Sequence, residues 1–510
     1  MAVRRDSMAI MNGWSPFYLK VMMKNPLFFI YILLILFFIY FIKDTLHVSV
    51  FKFAKLFLHG YICSNLFFLI TTSWVLSKRY ESLVYLEHDL LKKQRKWLLS
   101  AFIISCLVSL LPIAAIIILK NPAIESPFIW KGVLHLFILW TISNMLATTI
   151  GSTVALLLRH RGAVFLSLVL YGWFLWKSMS ITLTFRERLF NIFDDQLQVE
   201  TSTITGTLFN VNYFLDKIYI ILIILFLVLI IYCVYHSKKI VFIALTIAIF
   251  IGFGALPAYG EKHVQHIQTY PTAQFSHVPY TIQSYQMHLG LGNQLKNIVT
   301  MNLLFSASGH DLHLFLDDGF KVHSVKVNGS PIKFSHKNNV LTIHDPFKAN
   351  EKKKVVVSYS GRIQIVDNLG VPRYYVSHDA VNLPGWIFAW YPTVFQAQPS
   401  FFDIRLDATM KVYANIGSSP VQTKLKGQTS SLSLFAGQYQ KLIDHGITYI
   451  LPINAQLKDY QRIIDEQLTK KDDRSPKDKS YHKVIVGSWP YNLEDELKWI
   501  GQTIIINYSE

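Results

Sequence analysis

Long apolar runs separated by short polar segments fill the first half of the chain. A helix needs roughly 17–25 mostly apolar residues to cross about 30 Å of hydrocarbon. Seven runs meet this condition, and they predict membrane-spanning helices at about residues 26–42, 50–76, 98–119, 131–157, 163–183, 214–235 and 240–257. The second run contains Lys52, Lys55 and His59. Basic side chains near the end of a span can reach the lipid headgroups, so we keep this run as a span.

From about residue 258 the pattern changes to short segments in which apolar and polar residues alternate. Alternation with a period of two is typical of β-strands, and Gly, Asn and Pro turns separate the segments. The predicted strands are 280–291, 298–307, 311–317, 320–334, 339–345 and 353–363, with hairpin turns at 327–330 and 336–339. Repeated short strands at this spacing favour a β-sandwich or a saddle-shaped sheet.

The last part of the chain mixes both patterns. It predicts a helix at 456–469, a charged linker at 470–480, a strand at 482–489, a short helix and a final strand at 503–509. The expected fold is a membrane all-α bundle followed by an extracellular mainly-β domain with a short α/β C-terminal piece. The corresponding boundaries are 1–25 for a cytoplasmic interface helix, 26–257 for the transmembrane domain, 258–455 for the β-domain and 456–510 for the α/β piece.

Basic clusters between the runs predict the orientation of the bundle, because Lys and Arg are retained on the cytoplasmic side. The clusters before the first run and after the second, fourth and sixth runs all fall on one side: Arg4, Arg5, Lys20, Lys24, Lys78, Arg79, Lys92, Lys93, Arg95, Lys96, Arg159, Arg161, Lys238 and Lys239. We expect a multi-pass plasma-membrane protein with a cytoplasmic N-terminus. An odd number of spans then places the residues after about 258 outside the cell.

Composition agrees with two different bodies in one chain. The 510 residues are 52% hydrophobic and only 16% charged, which is too apolar for an entirely soluble protein. The formal net charge of +17 needs no nucleic acid as a partner, since many basic residues are the orientation signals and anionic lipid is their neighbour. Cys63, Cys106 and Cys233 lie in apolar runs, so the outer half has no disulfide framework. An outer domain without disulfides suits the surface of a Gram-positive bacterium.

Two segments predicted on the cytoplasmic side suggest a function. Residues 8–24 mix apolar and basic residues as an interfacial helix does. In residues 77–96 the apolar positions recur at helical spacing, which predicts an amphipathic helix. Its candidate contacts for a partner protein are Arg79, Tyr80, Glu81, Leu83, Asp89 and Leu90. The polar members of this set are equally explained as a solvated helix face.

This layout resembles a type-2 ABC exporter permease over about residues 8–236. The resemblance consists of an interface helix, six spans, a coupling-type helix after the second span and an outer loop at 185–214. It implies a separate ABC ATPase subunit, a second permease copy or paralogue, and a peptide or amphiphile as substrate. The chain has no GxxxxGK[ST] loop, so ATP would act through the partner and this chain would bind no cofactor. A generic polytopic anchor remains the alternative.

Two ionisable residues inside predicted spans are candidates for a transport pathway. His135 lies in the fourth run and Lys177 in the fifth. A polar side chain inside a span usually faces the bundle interior, a cavity or a partner. Lys177 is also close enough to the end of its run to reach the headgroups, so both interpretations stay open.

The outer half resembles the N-terminal β-domain of aminopeptidase N-type zinc metallopeptidases over about 280–450. The resemblance rests on the order of a strand ending in Tyr359-Ser360-Gly361, an aromatic-Pro segment at 390–392 and a Phe-rich strand with Phe401 and Phe402. The acidic Asp-Glu-Pro segment common in active relatives is replaced by the residues at 396–399.

No catalytic or metal-binding residues are predicted. None of the eighteen histidines is followed by Glu, so the His-Glu-x-x-His zinc motif is absent from this sequence. We expect a non-catalytic outer domain, with Trp386, Trp390 and Tyr391 as candidates for a binding surface. As alternating aromatics they are also compatible with the core of a strand.

Three functions are compatible with these features. The first is export or clearance of a peptide or amphiphile by an ABC complex. The second is a surface-anchored, degenerate or split metallopeptidase-like module that binds peptides, and the third is a sensor that does not transport.

Overall fold

The computed structural model describes most of the chain and divides it into two compact units. One unit contains Met1–Val199 with Gly206–His263, and the other contains Glu200–Thr205 with Val264–Glu510. They are called the helical unit and the β unit. The described residues are 16–47, 49–78, 90–179, 189–190, 192–193, 204–206, 209, 211–235, 239–263, 265–266, 278–366, 372–394, 399–418, 420–421, 423–453, 455–471, 481–490 and 496–507.

Apolar helices build the helical unit. They are α1 Pro16–Met23, α2 Pro26–Ile42, α3 Val50–Leu56, α4 Leu58–Lys78, α5 Leu90–Leu119, α6 Ser126–Leu158, α7 Ala163–Met179, α8 Val211–Tyr235 and α9 Lys239–His263. Among the described residues, six helical stretches are long and apolar enough to cross a membrane: Pro26–His47, Leu58–Ser77, Gln94–Leu119, Ser126–Leu158, Tyr213–Tyr235 and Ile240–Lys262. Helix α7 is apolar but has 17 residues, so a seventh span stays a prediction.

The second predicted span is interrupted. Residues 50–76 do not form one helix, because α3 ends at Leu56, Phe57 forms a cap and α4 begins at Leu58. The Ser49 side chain caps α3 by accepting a hydrogen bond from the Phe51 amide. The basic residues Lys52 and Lys55 therefore lie on a separate short helix, and α4 keeps the apolar sequence.

Helices α4 and α6 contain the most buried membrane-length stretches of the helical unit. Within their apolar windows 72% and 67% of the residues are buried, against 17% for α2 and 6% for α9. Gly151 of α6 lies directly against α4, since a Cβ atom at this position would be 2.8 Å from the Leu69 carbonyl oxygen. Small residues permit this kind of close approach between membrane helices.

Twenty-one strands and one helix build the described part of the β unit. The strands are β1 Gln265–His266, β2 Tyr280–Leu291, β3 Leu295–Phe305, β4 Gly309–Phe315, β5 Lys321–Val327, β6 Ser330–Pro331, β7 Phe334–Lys337, β8 Val340–Phe347, β9 Lys352–Gly361, β10 Gln364–Val366, β11 Pro372–Val376, β12 Val381–Leu383, β13 Ser400–Ala408, β14 Tyr413–Ala414, β15 Lys424–Thr429, β16 Leu434–Ala436, β17 Tyr439–Asp444, β18 Ile447–Pro452, β19 Lys483–Gly487, β20 Leu497–Ile500 and β21 Thr503–Asn507. The helix is α10, Leu457–Lys471. Helices followed by mainly β structure confirm the predicted fold class.

The strands form four sheets. Their orders are β15-β13-β2-β3-β9-β5-β6, β1-β10-β11-β12-β16-β14, β17-β18-β19-β21-β20 and β4-β8-β7. Inward side chains of these sheets share one hydrophobic core that includes Tyr359, Trp390 and Trp489. Alternate burial along β2 and β3 matches the period-two pattern of the sequence.

Both predicted hairpins are confirmed, the second with its turn one residue further along the chain, at 337–340. Val327 pairs with Ser330 across Asn328 and Gly329, whose φ angles are 50° and 91°. Lys337 pairs with Val340 across Asn338 and Asn339, at 55° and 60°. Two successive residues with positive φ define the type I′ turn, which matches the twist of antiparallel strands.

The C-terminal piece is a small α/β sheet with one departure from the prediction. Strands β18, β19 and β21 are parallel neighbours, and α10 connects β18 to β19. The short helix predicted between 489 and 503 is wrong for 497–500, which form strand β20 antiparallel to β21. Leu497 and Ile500 are buried there, and Gly501 with φ 59° makes the tight turn to Thr503. Cross-strand pairing therefore overrides the local helical pattern.

Candidate functional site

A ladder of buried hydrogen bonds crosses the interior of the helical unit. The Ser64 hydroxyl donates to Asn144 Oδ1 at 2.8 Å, so Tyr31 is the donor in its 2.9 Å contact with Ser64. Asn144 Nδ2 donates to Ser105 Oγ at 2.9 Å. The ladder thus connects α2, α4, α6 and α5 in that order. Interhelical bonds of this kind fix the packing of membrane helices, where hydrophobic burial does not drive association.

A branch of this polar interior reaches α7. Asn65 Nδ2 lies 2.7 Å from the hydroxyl oxygen of Tyr171 and donates to it. Two buried atoms of these helices, Asn65 Oδ1 and Ser167 Oγ, have no hydrogen-bond partner among the described residues. Buried polar atoms of this kind are positions where water or a polar ligand gains a hydrogen bond.

An open apolar groove of about 400 Å³ borders the ladder. It runs between α2 and α4, and its walls include Leu34, Tyr31 and Phe67. The Tyr31 ring stacks on the Phe67 ring at 4.4 Å between centroids. One face of Tyr31 therefore belongs to an apolar surface, while its hydroxyl belongs to the ladder. In a bilayer, a groove lined in this way fits an acyl chain.

Charged groups are buried together near the start of α8. Lys217 is 3% exposed and its Nζ lies 2.6 Å from Asp216 Oδ2 and 4.6 Å from the centre of the Tyr213 ring. The Tyr213 hydroxyl lies 3.0 Å from His135 Nδ1 of α6. The ring of Phe51 on α3 lies beside the His135 ring, with 6.1 Å between the ring centres. Burying ions inside an apolar bundle is costly, and such groups commonly serve a function.

Sequence reasoning found only part of this charged cluster. His135 was a candidate and the structure buries it at 3% exposure, but Asp216 and Lys217 were not singled out. The criterion that selected His135 could have found them, because both are charged residues within the apolar run 214–235. Lys177 instead lies half-buried in the last turn of α7, with Nζ 5.2 Å from the centre of the neighbouring Trp176 ring. That position fits an interfacial anchor.

Helix α1 packs on the start of α5. Tyr18 is 4% exposed and meets Trp97 edge to face at 5.9 Å, while Met22 is fully buried. Trp97 Nε1 donates to Thr72 Oγ1 at 2.8 Å, so the contact extends to α4. Of the coupling candidates, Arg79, Tyr80, Glu81, Leu83 and Asp89 lie outside the described residues, and Leu90 is the first residue of α5.

The outer aromatic candidates do not form an exposed surface. Trp390 and Tyr391 are 0% and 1% exposed and belong to the core of the β unit. The backbone of Leu432 forms hydrogen bonds with both side chains. Its carbonyl oxygen accepts a bond from Trp390 Nε1 at 3.2 Å, and its amide donates to the Tyr391 hydroxyl oxygen at 3.0 Å. Burial raises the pKa of Tyr391 to about 12, partly opposed by this bond from Leu432.

Trp386 is half-buried and lies edge to face on Trp489 at 5.1 Å. Residues 384–393 are turns between sheets, so these aromatics do not alternate along a strand. The burial of Trp390 and Tyr391 in the core therefore opposes the predicted binding surface at these two residues, and a binding role for Trp386 stays a prediction.

No group of three or more potential metal ligands occurs within the described part of the chain. His313 Nδ1 lies 3.1 Å from Thr342 Oγ1, and His344 Nδ1 lies 3.0 Å from Asp311 Oδ1 across the β4–β8 ladder. These histidines take part in local cross-strand pairs.

No protein-family model matches the chain, and no curated protein sequence matches it. Solved structures similar to part of it include the M1 zinc metallopeptidase from Deinococcus radiodurans, at 15% identity and TM-score 0.33 over 46% of this chain and 61% of that one. Leukotriene A4 hydrolase from Saccharomyces cerevisiae is similar at 11% identity and TM-score 0.32, over 45% of this chain and 41% of the hydrolase. The chain thus spans less than two thirds of either protein, and likeness at this level carries no functional argument.

Proposed function

We propose that this chain is the membrane subunit of an ABC exporter that moves an amphiphile and depends on a separate ATPase subunit. The observation that carries the proposal is the position of Tyr31. Its ring is part of the wall of an apolar groove, and its hydroxyl begins a polar ladder through the bundle. An amphiphile requires both surfaces, one for its acyl chain and one for its polar head. This feature favours an amphiphile over a free peptide.

The packing of α1 supports a mechanical role for the predicted cytoplasmic side. Tyr18 and Met22 bury α1 against α5, directly after the predicted coupling segment 77–96. A force applied by an ATPase to that segment would reach α5 and, through Trp97 and Thr72, α4. Helix α4 carries Ser64, the second member of the ladder. The proposal includes a second permease copy or paralogue, a plasma-membrane location and a cytoplasmic N-terminus.

The β unit has a non-catalytic role in this proposal. Trp390 and Tyr391 are packed inside it, and His313 and His344 form local cross-strand pairs. It is the outer binding or assembly part of the exporter. A degenerate or split peptidase-like module and a sensor that does not transport are the alternatives that the test separates.

The test measures ATP turnover of the purified complex in lipid nanodiscs while a lysophospholipid is titrated as the probe. Tyr31→Phe keeps the ring in the groove but removes the bond to Ser64. The variant leaves the Ser64 hydroxyl without its donor and loosens the ring that forms the groove wall, so the apparent affinity for the probe should fall severalfold. Tyr40→Phe on the same helix is the matched control, since Tyr40 is 68% exposed.

Three outcomes oppose the proposal in different ways. Equal apparent affinities of the wild type and Tyr31→Phe for the lysophospholipid would show that the ladder does not contribute to binding. A lack of stimulation by the lysophospholipid would contradict an amphiphile substrate. Absence of ATP turnover in the purified sample would leave the sensor or the anchored module as the better account.

A further inference from the structure

Two residues from the stretch between α7 and α8 belong to the β unit. Ile204 and Thr205 are 2% and 1% exposed. Ile204 is part of the same hydrophobic core as the inward side chains of the sheets. Glu200–Thr205 accordingly belongs to the same compact unit as Val264–Glu510. The β unit is thus completed by a segment encoded far upstream of its strands.

The receiving surface lies between β16 and β17. The Gln438 amide donates a hydrogen bond of 2.7 Å to the Ile204 carbonyl oxygen. Gly437 has φ 149°, and a Cβ atom there would be 2.5 Å from that oxygen and 2.9 Å from Ile204 Cγ2. Glycine is required here by both backbone conformation and space. Gly437 and Gln438 form a notch that fits the backbone of Ile204.

Hydrogen bonds join the notch to the neighbouring strands. The Gln438 carbonyl accepts from the Ile453 amide at 2.9 Å, and the Tyr439 hydroxyl donates to the Val486 carbonyl at 2.9 Å. Tyr439 also pairs with Pro452 at the end of β18. A preformed acceptor surface costs little ordering entropy when a segment binds to it.

The residue that follows is anchored in the other unit. Gly206 has φ 66°, and a Cβ atom at this position would be 3.0 Å from the Phe51 ring and 3.2 Å from the Phe128 ring. The chain therefore changes units between Thr205 and Gly206, and each side of that bond has its own close contact. Gly206 precedes α8 by five positions.

We propose that the Gly437–Gln438 notch is a docking surface whose occupant is the Ile204–Thr205 segment of the same chain. Docking holds this part of the α7–α8 connection within the β unit. This inference concerns a contact inside the β unit and does not depend on an ATPase.

The experiment is hydrogen–deuterium exchange of the full chain in detergent, comparing Gly437→Ala with the wild type. The added methyl group should displace Ile204, so the Gln438 amide and peptides covering 204–206 should exchange at least about tenfold faster. Gly446→Ala is the matched control. Gly446 also has positive φ, at 80°, but its Cβ would meet nothing within 4 Å. Exchange at the notch should be unchanged in this control.

A second variant removes the dependence on how well Gly437→Ala folds. Ile204→Ser leaves the notch intact and weakens only the occupant, so the Gln438 amide should again lose protection. Amides in the β2–β3 ladder, such as those of Val299 and Met301, should stay protected and show that the β unit is folded. A wild-type segment without protection would overturn the inference. So would a Gln438 amide that stays as protected in Ile204→Ser as in the wild type.

Discussion

Single polar residues distinguish the interior of the helical unit from its surface. On α2, Phe29 and Phe41 are 67% and 75% exposed, whereas Tyr31 is 2% exposed and bonded to Ser64. The same helix therefore presents apolar side chains outward and a hydroxyl inward. In water this would be an inverted pattern, and in hydrocarbon it is the stable one.

Asn144 is the residue on which the ladder depends most, since it accepts from Ser64 and donates to Ser105. Asn144→Leu removes both interhelical bonds. Such bonds average roughly 0.6 kcal/mol in membrane bundles, so we expect a loss of about 1 kcal/mol, measured as a lower melting temperature in detergent. Ser143→Ala, which loses only a bond to Trp140 of its own helix, should melt close to the wild type. Equal melting of both variants would contradict the ladder.

Lys483 predicts a pH dependence of the β unit. Its Nζ donates to the carbonyls of Ala414 and Gly417 at 3.0 and 2.7 Å, and burial, aided by Lys441, lowers its pKa to about 8. Between this pKa and the ordinary lysine pKa of 10.5 the unfolded chain holds the proton and the folded chain does not. The contribution of Lys483 to stability therefore rises with pH across this window.

Lys483→Met removes this titration. The melting temperature of the wild type relative to the variant should increase from pH 8 to pH 10, and Lys424→Met at an exposed position of β15 serves as the control. Parallel pH profiles for wild type and Lys483→Met would show that Lys483 does not titrate in this window.

At the scale of the element, the packing of α1 makes a directional prediction. Tyr18 is buried against Trp97, whereas the adjacent Phe17 is 42% exposed. Tyr18→Ala should free α1 from α5 and speed amide exchange across 16–23, because a buried aromatic contact is lost. Phe17→Ala should leave this exchange unchanged. Protection that is equal in both variants would mean that α1 is held by something other than this contact.

The crossing of α4 and α6 depends on Gly151. A Cβ there would press on the Leu69 carbonyl at 2.8 Å, so Gly151→Ala should lower the free energy of unfolding by about 1–3 kcal/mol, seen as a lower melting temperature. Gly172→Ala on α7 meets nothing within 4 Å and should be neutral or slightly stabilising. Thermal melting of the wild type and both variants in one detergent measures this difference. A Gly151→Ala variant as stable as the wild type would contradict the dependence of the α4–α6 crossing on Gly151.

Sequence patterns predicted elements better than they predicted contacts. Strand β2 matches the predicted 280–291, and the turns at Gly329 and Asn338 follow from local chemistry that is visible in the sequence. The cap at Phe57 was missed because Lys52 and Lys55 were interpreted as the end of a continuous span. In these cases the deciding interactions are local.

The candidate site was less predictable because its contacts are distant in sequence. His135 meets Tyr213, Ser64 meets Asn144, and Trp390 meets Leu432, and no periodicity contains these pairings. The burial of Ile204 in the β unit was equally invisible. The sequence shows where a polar residue lies within an apolar run, whereas only the fold shows which residue it contacts.

At the scale of the whole molecule, one chain joins an apolar helical unit to a β unit with its own core. The helical unit exposes many large apolar side chains and buries hydrogen-bonded polar groups among its helices, whereas the β unit gathers its apolar side chains in one core. The central claim is that the helical unit works with a separate ATPase. That claim concerns the segment 77–96 and can be tested without knowing the substrate.

The most direct measurement is affinity purification of the tagged full chain in mild detergent, followed by assay of the eluate for a stoichiometric ATPase and its ATP turnover. The parallel sample carries Tyr80→Asp, Leu83→Asp and Leu90→Asp in the predicted coupling helix. The account predicts that the wild type retains the ATPase and that the triple variant loses it while its helical unit stays folded. A wild-type sample with no accompanying ATPase would contradict the account, and so would a variant that retains the ATPase fully.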